Sequence, residues 1–349
     1  MNFSLQNLPQ SEIEILVTLP FSEFEPHVKR AALSISEEIE IEGFRKGKVP
    51  FEMVRNRFGE AVIYERAAEL AVKKTYPTIV EELVAKGEVR TENPLIGRPE
   101  ITVTKLAPGN ELQYKVKVAV LPEVKLPDYK EIAGRVRREK KEISVSGEEI
   151  LKTLDWIRES RATGEGEARK VPDLTDEFAK SLGSFSDVEA LKKNVKDGLR
   201  LEKEEREKQR IRARILEEIA KNAAIEIPDA LAEAEFAKML GELKSGVEGM
   251  GMKWEDYLSH IKKTPEELRQ DWIEDAANRA RSALVLREIG KTENIRPSDE
   301  EVRQRADEFL RQYKTSEEAE KGLDPEKLKE YTMGVLRNEK VFAFLENIE

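Results

Sequence analysis

The feature that most restricts the fold is a run of nine residues without an apolar side chain, inside a long helical pattern. Every residue between Leu201 and Ile211 is charged or is glutamine. On either side of the run, apolar residues recur at helical spacing and predict one helix of about 35 residues that opens near Ser186. A helix that is polar on every side cannot be buried, so this part must project from the protein or bridge two parts of it.

Composition supports an elongated, mainly helical protein with much exposed surface. Of the 349 residues, 39% are hydrophobic, 37% are charged and 6% are aromatic. This length predicts two or three domains. The chain has no cysteine, which excludes disulfides, thiolate metal sites and a cysteine nucleophile. Its two histidines, His27 and His260, are far apart in sequence, so we expect no metal site.

The first 120 residues predict an α+β domain. Alternating apolar residues indicate a half-buried strand over 12–19, and helical spacing follows from Ser22 to about Glu40. A second helical pattern runs from Pro50 to near Gly87 with a break at Gly59, and a hairpin is expected over 100–105 and 112–120. Residues 1–120 are therefore expected to form strands packed against helices.

Residues 121–145 are expected to form an extended linker, because Pro122 and Pro127 disfavour a helix. A cluster of cations follows within this segment, and RNA contact or a solvated strand could account for it, with the strand favoured. The cluster consists of Arg135, Arg137, Arg138, Lys140 and Lys141.

Residues 146–349 predict an all-α domain with helical arms. Capping-box patterns begin at Ser146, Ser186 and Ser298, and another helix is capped from Thr264. The two helices before residue 252 form a predicted hairpin whose tip is rich in glycine and methionine. Because methionine adapts to varied apolar surfaces, we expect this arm to contact unfolded chains, the alternative being local packing of the tip. The expected client-contact residues are Met239, Met250, Met252 and Trp254.

The segment between the two N-terminal helical patterns is the strongest candidate site. It carries three cations and one aromatic residue in eight positions, within a chain of net charge −10. Glycines at both sides allow a tight projecting loop, and the cations with the aromatic ring suit a polyanion. An ordinary solvated connection between helices is the alternative. The segment consists of Gly43, Phe44, Arg45, Lys46, Gly47, Lys48, Val49 and Pro50.

The sequence Gly-Phe-Arg-Lys-Gly-Lys-Val-Pro over 43–50 resembles the ribosome-docking signature of the trigger factor family, bacterial chaperones that work at the polypeptide exit tunnel. Residues 171–178, Val-Pro-Asp-Leu-Thr-Asp-Glu-Phe, are similar to the entry into that family's C-terminal helical domain. The resemblance implies an α+β ribosome-binding domain followed by helical arms. Its expected partners are the large ribosomal subunit, through ribosomal protein and rRNA near the exit, and nascent or unfolded polypeptides.

The sequence departs from the family near residues 160–170. Family members usually carry an FKBP-like prolyl-isomerase domain of roughly a hundred residues there, and this chain has only a short polar segment. Prolyl-isomerase activity is therefore not expected. No catalytic constellation or phosphate-binding glycine loop is evident, which predicts an ATP-independent chaperone that is not an enzyme and has no cofactor.

Two other functions stay open at this point: a ribosome-independent holdase or assembly chaperone, and a prolyl isomerase with an unrecognised site. A helical scaffold protein without chaperone activity is a third possibility.

The N-terminus lacks a signal peptide pattern and no apolar run approaches the length of a membrane span, so we expect a cytoplasmic protein without membrane contact. Self-association away from the ribosome is an expectation from the family resemblance.

Overall fold

The structure is a computed structural model that describes residues 1–38, 44–163, 170–311 and 324–348. The chain divides into two compact units, the first formed by Met1–Lys125 and Ala224–Leu284 and the second by Leu126–Ala223 and Val285–Glu349. The strands are β1 (Asn2–Leu8), β2 (Glu12–Leu19), β3 (Leu95–Lys105) and β4 (Leu112–Val120). The helices are α1 (Phe21–Glu38), α2 (Phe51–Phe58), α3 (Glu60–Ala85), α4 (Tyr129–Arg137), α5 (Gly147–Ser160), α6 (Asp176–Leu182), α7 (Val188–Asn222), α8 (Asp229–Gly249), α9 (Trp254–Ile261), α10 (Pro265–Thr292), α11 (Asp299–Leu310) and α12 (Pro325–Glu346).

The first unit contains an antiparallel sheet in the order β1-β2-β4-β3. The predicted strand and hairpin are confirmed, and the pairs Ile15–Val116 and Val17–Tyr114 lie in the buried face. Strand β1 is not indicated by the sequence pattern, because it is an edge strand whose apolar residues Phe3 and Leu5 are only partly buried.

Helices α1 and α3 supply the other side of this core. The ring of Phe24 on α1 packs edge-on against Tyr64 on α3, with centroids 5.9 Å apart. The hydroxyl groups of Thr75 and Tyr114 lie 2.5 Å apart and join α3 to β4. Gly59 has φ of +85° and separates α2 from α3 at the predicted break. The predicted α+β architecture of the N-terminal part is therefore confirmed.

Helix α8 is also part of the first unit, where it packs on β3. A Cβ added to Gly97 of β3 would lie 2.9 Å from the Cβ of Ala230, so the two backbones approach closely at this point. Arg269 and Arg279 of α10 form ion pairs with Glu233 and Glu242 of α8. Packing on β3 therefore holds α8 against the sheet, and ion pairs join the first part of α10 to α8.

In the second unit, α4, α5 and α6 pack against the long helix α7. The expectation of an extended linker over 121–145 is wrong for Tyr129–Arg137, which form α4. Asp128 caps this helix by accepting a hydrogen bond from the Glu131 amide at 3.0 Å. Buried Tyr129, Ala133 and Val136 then share one helical face, and this packing outweighs the nearby prolines.

The capping boxes predicted at Ser146 and Ser298 are present. The one predicted at Ser186 is wrong, because the cap of α7 is Asp187. Its carboxylate accepts from the Ala190 amide at 2.8 Å and from the Ser186 hydroxyl at 2.9 Å.

The polar run of α7 is not exposed along its whole length. Glu207 has only 7% of its surface exposed. Its carboxylate accepts a hydrogen bond from the Lys141 backbone amide at 2.7 Å and two from the Arg210 guanidinium, which also donates to the Glu139 carbonyl at 3.0 Å. Pairing with Arg210, followed by the Lys141 amide, lowers the pKa of Glu207 to about 2. The segment after α4 is thereby tied across α7, which a one-dimensional pattern cannot indicate.

Candidate functional site

The loop between α1 and α2 contains a tight turn that directs its cations outward. The Lys48 amide donates to the Arg45 carbonyl at 2.9 Å, which closes a four-residue turn. Gly47 holds the third position with φ of +74°, a value that glycine adopts without a steric penalty. Gly43, the first residue of the expected site, lies outside the described residues.

The turn is attached to the end of α1 and to the core below it. The Gly47 amide donates to the Ser36 carbonyl at 3.0 Å, and Ser36 is buried. A Cβ added to Gly47 would lie 3.2 Å from Cγ of Glu37, so the loop runs close to the helix. Val49 belongs to the hydrophobic core of the sheet and α1–α3. The turn is therefore fixed on both sides.

The remaining side chains of the loop face solvent. Phe44 is 39% exposed, and Arg45, Lys46 and Lys48 are also exposed. Within the described ranges, Arg45 and Lys48 form no ion pair with a carboxylate. An exposed aromatic ring beside Arg45 and Lys48, neither of which pairs with a described carboxylate, is an arrangement that can bind phosphate and stack on a base.

Helix α2 and the start of α3 extend this surface with exposed apolar side chains. Met53 and Phe58 on α2 and Val62 on α3 are all exposed. The reason is the break at Gly59, which interrupts the helical face after Val54, the buried residue of α2. The sequence pattern indicates Pro50 as the first residue of α2. In the structure Pro50 is the N-cap, and the helix begins at Phe51.

The expected client-contact residues lie on α8 and the turn after it. Met250 is 79% exposed and Met252 is also exposed, on either side of Gly251 with φ of +79°. Trp254 is half-buried and stacks on Tyr257 at a centroid distance of 5.7 Å. Met239 is half-buried on α8, roughly 16 Å along the helix from Met250 at the standard rise per residue. The tip thus gathers Met250, Met252 and Trp254, while Met239 lies apart.

Metal-binding clusters and membrane-spanning helices are absent from the part of the chain that the structure describes. It contains no group of three or more histidine, cysteine, aspartate or glutamate side chains that could hold a metal. His27 lies near Lys74, and burial followed by this charge lowers its pKa. Among the described helices, none is long and apolar enough to cross a membrane.

An α+β N-terminal core with an exposed cationic loop, in a chain that is otherwise mostly helical, is the architecture expected for a trigger factor, and comparisons with known proteins agree. Residues 1–157 match the family model "Bacterial trigger factor protein (TF)", and residues 187–346 match "Bacterial trigger factor protein (TF) C-terminus". The two matches account for most of the chain, and the chain belongs to the trigger factor family.

Curated relatives and a solved structure lead to the same family. Trigger factors of Caldicellulosiruptor bescii and Clostridium kluyveri are each 24% identical, cover 99% of this chain, and are themselves covered over 97% and 98% of their lengths. A solved structure from work on promiscuous substrate recognition by the trigger factor chaperone superposes with a TM-score of 0.59 at 16% identity, over 100% of both chains. At that identity, the structural likeness shows the fold.

The relatives carry residues that this chain lacks. The alignment to the Caldicellulosiruptor bescii protein runs over 435 positions, although this chain has 349 residues. The family models leave residues 158–186 between them, too few for a domain of the size expected for the isomerase. Thr163 and Lys170 lie in this interval and pair as an antiparallel bridge, while residues 164–169 lie outside the described residues.

Proposed function

We propose that this protein is an ATP-independent chaperone that docks on the large ribosomal subunit near the exit tunnel and shields emerging chains until they fold. The observation that carries the proposal is the anchored turn over 45–48, which exposes Phe44 and the cations of the loop. A cationic loop on a chain of net charge −10 favours a local contact with phosphate over general binding to nucleic acid. A cytoplasmic location is part of this proposal.

Within the loop, Phe44, Arg45 and Lys46 are proposed to supply most of the affinity, and Lys48 to add a further phosphate contact. Gly43, Gly47, Val49 and Pro50 are proposed to shape and anchor the loop. Three cations on phosphate give a log–log salt slope of about −2 to −3. Raising salt from about 50 to 200 mM should then weaken binding roughly 15- to 60-fold.

Co-sedimentation with empty 70S ribosomes tests the proposal directly. The triple variant Phe44→Ala/Arg45→Ala/Lys46→Ala should lose binding at low salt while keeping the far-UV circular dichroism of the wild type. A matched control, Arg90→Ala/Arg98→Ala, removes two exposed cations of the same unit outside the loop and should bind normally. Equal binding by all three proteins would reject the docking loop.

Client binding is proposed to occur by weak contacts without a chemical step, with Met250, Met252 and Trp254 at the arm tip and Met239 along α8. Covering apolar segments until a chain can bury them requires only transient association. We also propose that the chain has no prolyl-isomerase activity. A proline-limited refolding assay with substoichiometric chaperone tests this point, and acceleration of the slow phase would overturn it.

A further inference from the structure

The second unit contains a large cleft that the docking loop and the arm tip do not involve. It has a volume of about 1150 Å³ and lies between the end of α4, the segment that follows it, and α7. This volume exceeds the usual range for sites that take small molecules, about 300–1,000 Å³, so several residues of a polypeptide could occupy it. The tie through Glu207 fixes one wall of the cleft against α7.

The charge of the cleft is not balanced within the described part of the molecule. Arg137, Arg138, Lys140 and Lys208 line it, and none of them forms an ion pair with a described carboxylate. Two of the carboxylates that line the cleft are already engaged, Glu204 with Arg200 at 2.7 Å and Glu346 with Arg212. The free cations therefore outnumber the free carboxylates, and the cleft should attract negative charge.

The cleft also has apolar surface that the fold leaves uncovered. Leu201 is 66% exposed, and Ile143 and Ile348 lie in the same lining. Among the described residues that line the cleft, none has an aromatic side chain on which a nucleobase could stack. Its carboxylates would also repel a continuous phosphate backbone. Apolar surface with a cationic rim fits an extended peptide that carries both acidic and apolar side chains better than it fits RNA.

We propose that this cleft binds acidic, apolar-containing segments of unfolded polypeptides. It would act as a client subsite separate from the arm tip, and the inference rests on the proposed chaperone function. Leu201 would contact the apolar side chains, and the cations of α4 and of the segment after it would pair with the acidic ones.

Fluorescence anisotropy with the full chain tests the proposal off the ribosome. The probes are a labelled twelve-residue peptide of alternating glutamate and leucine and its lysine–leucine counterpart. Wild type should prefer the acidic peptide, and added salt should weaken this preference. Arg138→Glu/Lys140→Glu should weaken acidic-peptide binding by about tenfold or more, because like charges repel across the contact. Leu201→Ser, at an exposed position, should weaken it several-fold.

The matched control is Lys180→Glu/Lys221→Glu, which makes the same change of net charge at exposed sites of the second unit outside the cleft. An equal loss in this control, or no preference for the acidic peptide in wild type, would overturn the proposal. Oligouridine binding that replaces peptide binding and is lost in Arg138→Glu/Lys140→Glu would assign the cleft to RNA and also overturn it.

Aggregation suppression of an unfolded client, measured in parallel, separates this inference from the proposed function. Suppression by wild type without acidic-peptide preference would reject the cleft alone. A wild type that suppresses no aggregation would reject the client-binding function and the cleft proposal together.

Discussion

A substitution at Gly47 tests the proposed ribosome docking while leaving every cation of the loop in place. In Gly47→Ala the backbone would have to keep φ near +74°, and the new Cβ would lie 3.2 Å from Cγ of Glu37. Left-handed backbone costs an L-residue about 1–2 kcal/mol. The turn can relieve this strain by opening locally, since a single backbone hydrogen bond joins Arg45 to Lys48 within it. We therefore expect ribosome affinity to fall by about 5- to 30-fold, the equivalent of that energy.

Two variants test whether the loss comes from loop shape. Gly87→Ala introduces the same strain at φ of +73°, in open space after α3 and away from the loop. It should lower stability without changing ribosome affinity. Gly47→Asn should recover part of the binding, because asparagine tolerates the left-handed region.

Ribosome titration at low salt, with urea unfolding measured for each variant, completes the experiment. The reasoning is refuted if Gly47→Ala binds within about twofold of wild type while Gly87→Ala shows the expected loss of stability. Equal loss of ribosome affinity in Gly47→Ala and Gly87→Ala would also refute it, because strain outside the loop would then suffice.

Three further outcomes are expected. Tyr114→Phe removes the buried hydroxyl that pairs with Thr75 and should lower the free energy of unfolding by about 1 kcal/mol in urea titration, with ribosome binding intact. Pairing with Lys340, followed by the helix cap, holds the pKa of Glu301 at about 2 against a usual 4.5, so its stabilising effect is present above pH 4.5 and disappears as pH falls towards 2. Glu301→Gln should therefore lower the urea midpoint at pH 7, and the difference from wild type should vanish near pH 2; a constant difference would contradict this. Met250→Ser/Met252→Ser should weaken aggregation suppression without altering stability, and unchanged suppression would remove the arm tip from client binding.

Local signals predicted much of the fold. The alternation in β2, the capping boxes at Ser146 and Ser298 and the break at Gly59 are each set by a few neighbouring residues, so they can be recognised in one dimension. The tight turn likewise follows from eight consecutive positions, and the family resemblance follows from these positions together with residues 171–178.

Features that depend on distant partners were less predictable. Helix α4 is stabilised by burial of Tyr129, Ala133 and Val136, whereas the flanking prolines suggested extended chain. Burial of Glu207 depends on a segment more than sixty residues earlier in the chain. The Lys141 backbone amide of that segment donates a hydrogen bond to the Glu207 carboxylate. Exposure of Phe58 depends on how the break at Gly59 redirects the helix. In each case the spacing of residues was visible, but the surface that they contact was not.

The bridge between Thr163 and Lys170 has a consequence for engineering. The Thr163 amide donates to the Lys170 carbonyl at 3.1 Å, and the Lys170 amide donates back at 2.8 Å. Two chain positions held side by side in this way form a natural acceptor site for another folded module whose own ends lie close together. The scaffold should accept a guest domain there with little rearrangement, so that a catalytic or reporter module can be carried to wherever the docking loop binds.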